Sequence, residues 1–184
     1  MRTLLFLGLY LAAAAVPAYA DSTSDAVQRA ALATFHAKSL HMTVANATGP
    51  AVDLDLVPPA NMHVKVGGSM EMIKIGSAMY VNVKGKWHQM HIPGMGMLTN
   101  IVGNAQQYAK PDSFNAVDKG SSIVDGMSLH AYDVTGKTTH AKVPTTMYVG
   151  DDGFIHRMDV HSRAGATTIK FSNFNVPVTI VAPI

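Results

Sequence analysis

Apolar and polar residues alternate strictly over short stretches of this chain, and turn-forming residues separate the stretches. The pattern begins with Leu40, Met42 and Val44, and it continues as far as Trp87. An alternation of period two places successive side chains on opposite faces of a β-strand. Such stretches at hairpin spacing predict an antiparallel meander, with strands at 40–44, 52–56, 62–66, 70–75 and 79–83.

The rest of the chain adds strands and two stretches of helical period. Ser22 to Ser24 provide N-caps for a helix running to about Lys38, and apolar spacing predicts a second helix over 98–109. Pro177 suggests that the last strand lies on a sheet edge or starts at this proline. Further strands are predicted at 121–125, 127–135, 145–149, 154–161, 167–171 and 176–181. We therefore expect an α+β fold, a curved antiparallel half-barrel sheet of about ten or eleven strands wrapped around two or three helices.

The N-terminus has the three parts of a secretory signal peptide. Arg2 is followed by the apolar run Leu4 to Val16 and then by the small-x-small site Ala18-Tyr19-Ala20. This order predicts cleavage after Ala20, which leaves 21–184 as a single domain in the periplasm. The chain has no cysteine, so it lacks a lipobox, and we expect a protein that is not lipid-anchored.

Charge and motifs exclude several classes of function. The 14 Lys and Arg residues nearly balance the 12 Asp and Glu residues, which argues against nucleic-acid binding. The sequence contains no GxSxG or HExxH motif and no cysteine nucleophile. Asp53 and Asp55 share one face of a predicted strand, and we interpret them as its outward-facing phase. We therefore expect no enzymatic activity and no cofactor.

The order and spacing of several segments resemble the LolA-like superfamily of envelope proteins, which includes periplasmic lipoprotein carriers and mycobacterial lipid-carrying lipoproteins. The segments that carry the resemblance are Val27–Val44, Leu56–Val64, Ile73–Val81, Gly85–Trp87, Tyr148–Met158 and Phe171–Pro183. The resemblance implies a curved antiparallel sheet closed by helices over an apolar cavity. It also implies a soluble periplasmic carrier or sensor that binds a lipid or the acyl chain of a lipoprotein without catalysis. We expect a monomer, and the resemblance allows for a transport partner in the inner or outer membrane.

Methionine is unusually frequent, with 12 residues in the chain. Its flexible, polarisable side chain suits a surface that accommodates varied acyl chains, although it also fills irregular gaps in ordinary cores. The residues that we predict to line the cavity or its flap are Met62, Met70, Met79, Trp87, Met90, Met95, Met97, Ile101, Met147 and Met158.

The segment from His88 to Met97 is open to three interpretations. Its glycines and methionines fit a mobile apolar flap at the mouth of the cavity. Its imidazoles and thioethers also suit copper, with the candidate ligands His88, Met90, His91, Met95 and Met97. The third interpretation is an ordinary loop. For the whole protein, an envelope module that binds a partner but no ligand is a further alternative.

Overall fold

Helix α1 begins where the sequence predicts, at Thr23, and it ends at Phe35. The structure, a computed structural model, describes residues 22–59, 61–90, 113–137, 143–163 and 165–183. Ser22 is the N-cap, and its hydroxyl accepts a hydrogen bond from the Asp25 amide at 3.1 Å. Within the described residues α1 is the only helix, and the predicted helix over 98–109 lies outside them.

The strands form one open, curved antiparallel sheet of eleven strands, which agrees with the expected number, although the strand over 86–90 is not among the predicted ones. Their order is β6-β5-β4-β3-β2-β1-β11-β10-β9-β8-β7, so the described edges are β6 and β7. The strands are β1 Leu40–Asn46, β2 Val52–Val57, β3 Asn61–Val66, β4 Met70–Ile75, β5 Ala78–Val83, β6 Lys86–Met90, β7 Phe114–Val124, β8 Met127–Gly136, β9 Thr145–Val149, β10 Ile155–Ser162 and β11 Gly165–Ser172.

Two meanders meet at the centre of this sheet. Strands β1–β6 pair in chain order, strands β7–β11 do the same, and β1 pairs with β11. In this junction Met42 lies opposite Phe171 and Val44 lies opposite Ile169. The central pairing is therefore the most non-local contact of the sheet, and it joins both halves into one hydrophobic core.

The main core lies between α1 and one face of the sheet, which we call the inner face. Val27, Ala31 and Phe35 of α1 are buried in the same cluster as Met42 and Val64 of the sheet. Thr34 is fully buried too, and its hydroxyl donates to the Ala30 carbonyl while it accepts from the Ile155 amide, both at 2.8 Å. This pair of hydrogen bonds ties the helix to the start of β10.

The prediction of a strand at 176–181 is wrong, because residues 173–183 form no strand in the described structure. Asn173 and Asn175 have positive φ angles of 53° and 60°, which turn the chain out of the extended conformation. The Asn175 side chain accepts from the Lys38 amide at 2.9 Å, and the Ser39 hydroxyl donates to the Val176 carbonyl. Local turns and contacts with the end of α1 therefore replace strand pairing, and Pro177 does not mark an edge strand.

Candidate functional site

The candidate site is the part of the inner face that β4, β5 and β6 form. Cross-strand partners in an antiparallel sheet share a face, so the register extends the core outward strand by strand. The core residue Val64 lies opposite Met72, Met72 lies opposite Val81, and Val81 lies opposite His88. One row further along, Met62 lies opposite Lys74, and Met79 lies opposite both Lys74 and Met90. The inner face thus runs unbroken from the buried core to edge strand β6.

Burial decreases along this face toward β6. Val64 is 1% exposed and Met62 is 6% exposed, whereas Met72 and Met79 are half-buried. At the margins Met70 is 49% exposed and Met90 is 43% exposed. Helix α1 contacts β7 and β10, which lie in the half of the sheet away from β4, β5 and β6. We call the inner-face residues of these three strands the methionine face; they are Met70, Met72, Lys74, Met79, Val81, Val83, Lys86, His88 and Met90.

The charges of these strands are segregated by face. Asp53, Asp55 and Glu71 all belong to the opposite, outer face, because they occupy the alternate positions of β2 and β4. The charged residues that the methionine face carries are Lys74 and Lys86. Within the described residues this face is therefore apolar apart from Lys74, which lies between Met62 and Met79, and from Lys86 and His88 on β6, and it contains no acidic side chain.

The predicted site methionines fall into two groups. Met62, Met147 and Met158 belong to the buried core, with exposures of 6%, 0% and 4%. Met70 and Met79 lie on the methionine face, and so does Met90. Outside the described residues lie Met95, Met97 and Ile101.

Trp87 lies on the outer face, away from the methionines. It pairs with Asn82, which in turn pairs with Glu71. Residues that the site prediction omitted, Val81 and Val83, occupy the inner face instead. The signal for them was present in the sequence, since they continue the alternation of Met79 along β5.

Of the five candidate copper ligands, His88 and Met90 lie in the described part of the chain. They are two residues apart on β6, so both side chains belong to the inner face. His91, Met95 and Met97 lie outside it. The described residues contain no group of three His, Cys, Asp or Glu side chains that could hold a metal ion.

Several histidines on the strands contact carboxylates. The His41 ring contacts Asp55 at 2.7 Å and the His63 ring contacts Glu71 at 2.7 Å, both on the outer face. His130 likewise contacts Asp118 at 2.7 Å. Hydrogen bonds from the Gly120 amide and from His130 lower the pKa of Asp118 below its ordinary range. The second ring nitrogens of two of these histidines lie near hydroxyl groups, His130 at 3.4 Å from Ser121 and His41 at 3.5 Å from Thr43.

The architecture defines the class: an open, curved antiparallel sheet with an amphipathic helix against its inner face is a LolA-like fold, as the sequence resemblance predicted. Among solved structures, the lipoprotein LppX of Mycobacterium tuberculosis is similar, with a TM-score of 0.65 and 19% identity over 86% of this chain and 98% of that chain. LprF from Mycobacterium bovis has a TM-score of 0.62 and 19% identity, and the match covers 88% of this chain and 96% of that one.

The likeness extends more weakly to a LolA superfamily protein, NE2245 from Nitrosomonas europaea. It has a TM-score of 0.36 and 9% identity over 85% of this chain and 94% of that chain. No protein-family model and no curated protein matches the sequence. In the described part of the chain, every helix is too short or too polar to span a bilayer. The similarity to LppX and LprF establishes the fold, and the ligand is inferred from the site.

Proposed function

We propose that the protein is a soluble periplasmic carrier or sensor that binds the acyl chain of a lipid or lipoprotein on its methionine face. The observation that carries this proposal is the continuity of that face with the core, together with its exposure. Met70 and Met90 remain 49% and 43% exposed, although they lie on the face that continues from the core. Contiguous exposed apolar surface is uncommon on monomeric soluble proteins, and it often marks a binding site.

The chemistry of the face suits an acyl chain better than a polar ligand. Burial of each methylene group from water contributes about 0.8 kcal/mol, so a chain of ten carbons could contribute roughly 8 kcal/mol before the entropy of association is subtracted. Thioether side chains adjust their rotamers to irregular shapes, which allows binding of chains that differ in length. No described residue of the methionine face is an acid, so no carboxylate would repel the head group of an anionic lipid.

Binding without catalysis agrees with the site. The polar side chains of the methionine face are Lys74, Lys86 and His88, and no nucleophile paired with a base lies among the described residues of that face. Export through the predicted signal peptide would bring the protein to the compartment where acyl chains travel between two membranes. A transport partner in the inner or outer membrane is part of this proposal, and it rests on the sequence resemblance alone.

The test is native mass spectrometry of the protein purified from the periplasm, together with two charge-insertion variants. Val81→Asp places a carboxylate in the middle of the methionine face, and Ile73→Asp places the same group on the outer face at similar burial. We expect co-purified lipid in the wild type and in Ile73→Asp, and at least a tenfold loss in Val81→Asp. Equal lipid content in both variants, or no lipid in the wild type, would contradict the proposal. A stoichiometric copper adduct would favour the metal interpretation instead.

A further inference from the structure

Charges are segregated between the two ends of the sheet. The turns β1–β2, β3–β4, β5–β6 and β10–β11 lie at one end, because the strands alternate in direction. The described residues of this end include Lys84, Lys137 and Arg163 and no acid. The turns between strands at the opposite end carry Asp125 and the acidic 151–152 pair, and Lys38 lies at that end in the bend before β1. We call the first end the basic rim.

Two neighbouring hairpin tips on the basic rim expose apolar side chains. Glu71 pairs with Asn82, so the next residues toward the rim, Met70 and Val83, lie opposite each other. Both are 49% exposed. An open depression of about 380 Å³ between the tips is lined by Lys65, Met70, Glu71 and Lys84 among others, which places the two turns side by side.

The β5–β6 turn places Lys84, and the start of β6 places Lys86, beside this apolar pair. Lys84 and Gly85 have φ angles of 51° and 82°, which is the two-residue turn that matches the twist of a hairpin. Lys86 follows opposite Val83, and Trp87 comes next on the outer face. None of the ion pairs between described residues involves Lys84 or Lys86. Their charges are therefore available to an external partner.

The acids nearest to the tips are already engaged. Glu71 contacts the His63 ring at 2.7 Å and lies 4.0 Å from the Lys65 ammonium. Asp53 accepts a hydrogen bond from the Thr43 hydroxyl at 3.1 Å. The tip region thus combines exposed apolar side chains, unpaired lysines and one tryptophan, a combination suited to the interface between anionic head groups and acyl chains.

We propose that the β3–β4 and β5–β6 tips dock the protein on an anionic phospholipid bilayer. Lys84 and Lys86 contact lipid phosphates, Met70 and Val83 enter the outer edge of the acyl region, and Trp87 lies at the head-group level. Charge complementarity and exposed apolar side chains at the same tips favour a bilayer over an acidic protein surface. The docking site shares Met70, Val83 and Lys86 with the methionine face, whereas Lys84 lies in the turn and Trp87 lies on the outer face.

Trp87 makes the docking directly observable, because it is the only tryptophan of the chain. The experiment is flotation with vesicles of phosphatidylglycerol and phosphatidylcholine in equal parts, compared with vesicles of phosphatidylcholine alone. We expect binding to the anionic vesicles, a blue shift of Trp87 emission, and quenching by brominated acyl chains. Binding should be lost at about 1 M salt, where the Debye length falls to roughly 3 Å.

Two matched pairs of variants distinguish docking at these tips from nonspecific electrostatic and hydrophobic binding to vesicles. Lys84→Glu should lower the partition coefficient by about tenfold, whereas Lys38→Glu at the opposite end should leave it unchanged. Val83→Ser should lower it by about threefold or more, whereas Val117→Ser, at a position 60% exposed on edge strand β7, should not. Circular dichroism melts verify that all four variants fold.

Several results would overturn the proposal. They are equal binding to both kinds of vesicle, an equal loss in Lys38→Glu, and an emission from Trp87 that vesicles neither shift nor quench. An acidic protein partner in place of a bilayer would appear as failed flotation. Val81→Asp distinguishes this proposal from the proposed function, because it should carry no lipid and still float with anionic vesicles.

Discussion

Thr34 offers the sharpest test of how α1 is held on the sheet. Its side chain is fully buried, and its hydroxyl oxygen accepts the Ile155 amide at 2.8 Å while the hydroxyl donates to the Ala30 carbonyl. Thr34→Val keeps nearly the same shape and removes both hydrogen bonds. The Ala30 carbonyl lies within the helix and loses little, whereas the Ile155 amide is left without this acceptor in a buried position.

The expected magnitude follows from that asymmetry. A buried donor that loses its acceptor costs about 1–3 kcal/mol, so we expect Thr34→Val to lower the free energy of unfolding by about 2 kcal/mol. Thr34→Ser keeps the hydroxyl and removes one methyl group, and it should cost about 1 kcal/mol. Thr34→Ala removes both the hydroxyl and the methyl group. Its loss of unfolding free energy should be about the sum of the losses in Thr34→Val and Thr34→Ser.

Urea unfolding followed by circular dichroism measures these differences, and an unchanged m-value confirms that the unfolding transition is comparable. Hydrogen exchange at the Ile155 amide gives an independent readout, since Thr34→Val should speed its exchange while Thr34→Ser should not. If Thr34→Val is as stable as the wild type within about 0.5 kcal/mol, or if Thr34→Ser costs more than Thr34→Val, the hydrogen bond to Ile155 does not anchor the helix.

Two further predictions concern acid stability and the core. A hydrogen bond from Lys170 lowers the pKa of Asp125 below its ordinary range, with a smaller contribution from Arg157. The unfolded chain therefore binds more protons, and stability falls as the pH drops below about 4. Asp125→Asn should flatten that slope in acid-unfolding curves. Met147→Ala, at a position 0% exposed, should cost about 2–5 kcal/mol in urea unfolding, whereas Met70→Ala should change stability by about 0.5 kcal/mol or less; similar effects of the two would contradict the assignment of Met147 to the core.

Alternation along single strands predicted much of the local structure correctly. Leu54 and Leu56 are buried, and Asp53 and Asp55 point to the outer face, as the pattern in 52–56 indicates. Strands at hairpin spacing need only local pairing, so their order within each meander was also readable. The strand predicted at 176–181 failed because two asparagines in the left-handed region and contacts with Lys38 and Ser39 outweighed a weak apolar pattern.

The distinction between core and candidate binding surface was not readable in this way. Met147 and Met70 are both strand methionines, yet one is 0% and the other 49% exposed. The difference depends on where a strand lies relative to α1 in the assembled sheet. Trp87 was assigned with the methionines because it lies close to them in sequence, and the phase of β6 places it on the outer face.

By itself the sequence determined that this chain forms an antiparallel sheet with a helix, and it determined which residues of each strand share a face. These properties depend on neighbours in the chain, and a period of two is enough to encode them. Only the tertiary structure decided that β1 pairs with β11, which inner-face methionines α1 covers, and that the lysines of separate turns gather at one rim. Those outcomes depend on contacts between residues far apart in sequence, for which no local pattern exists.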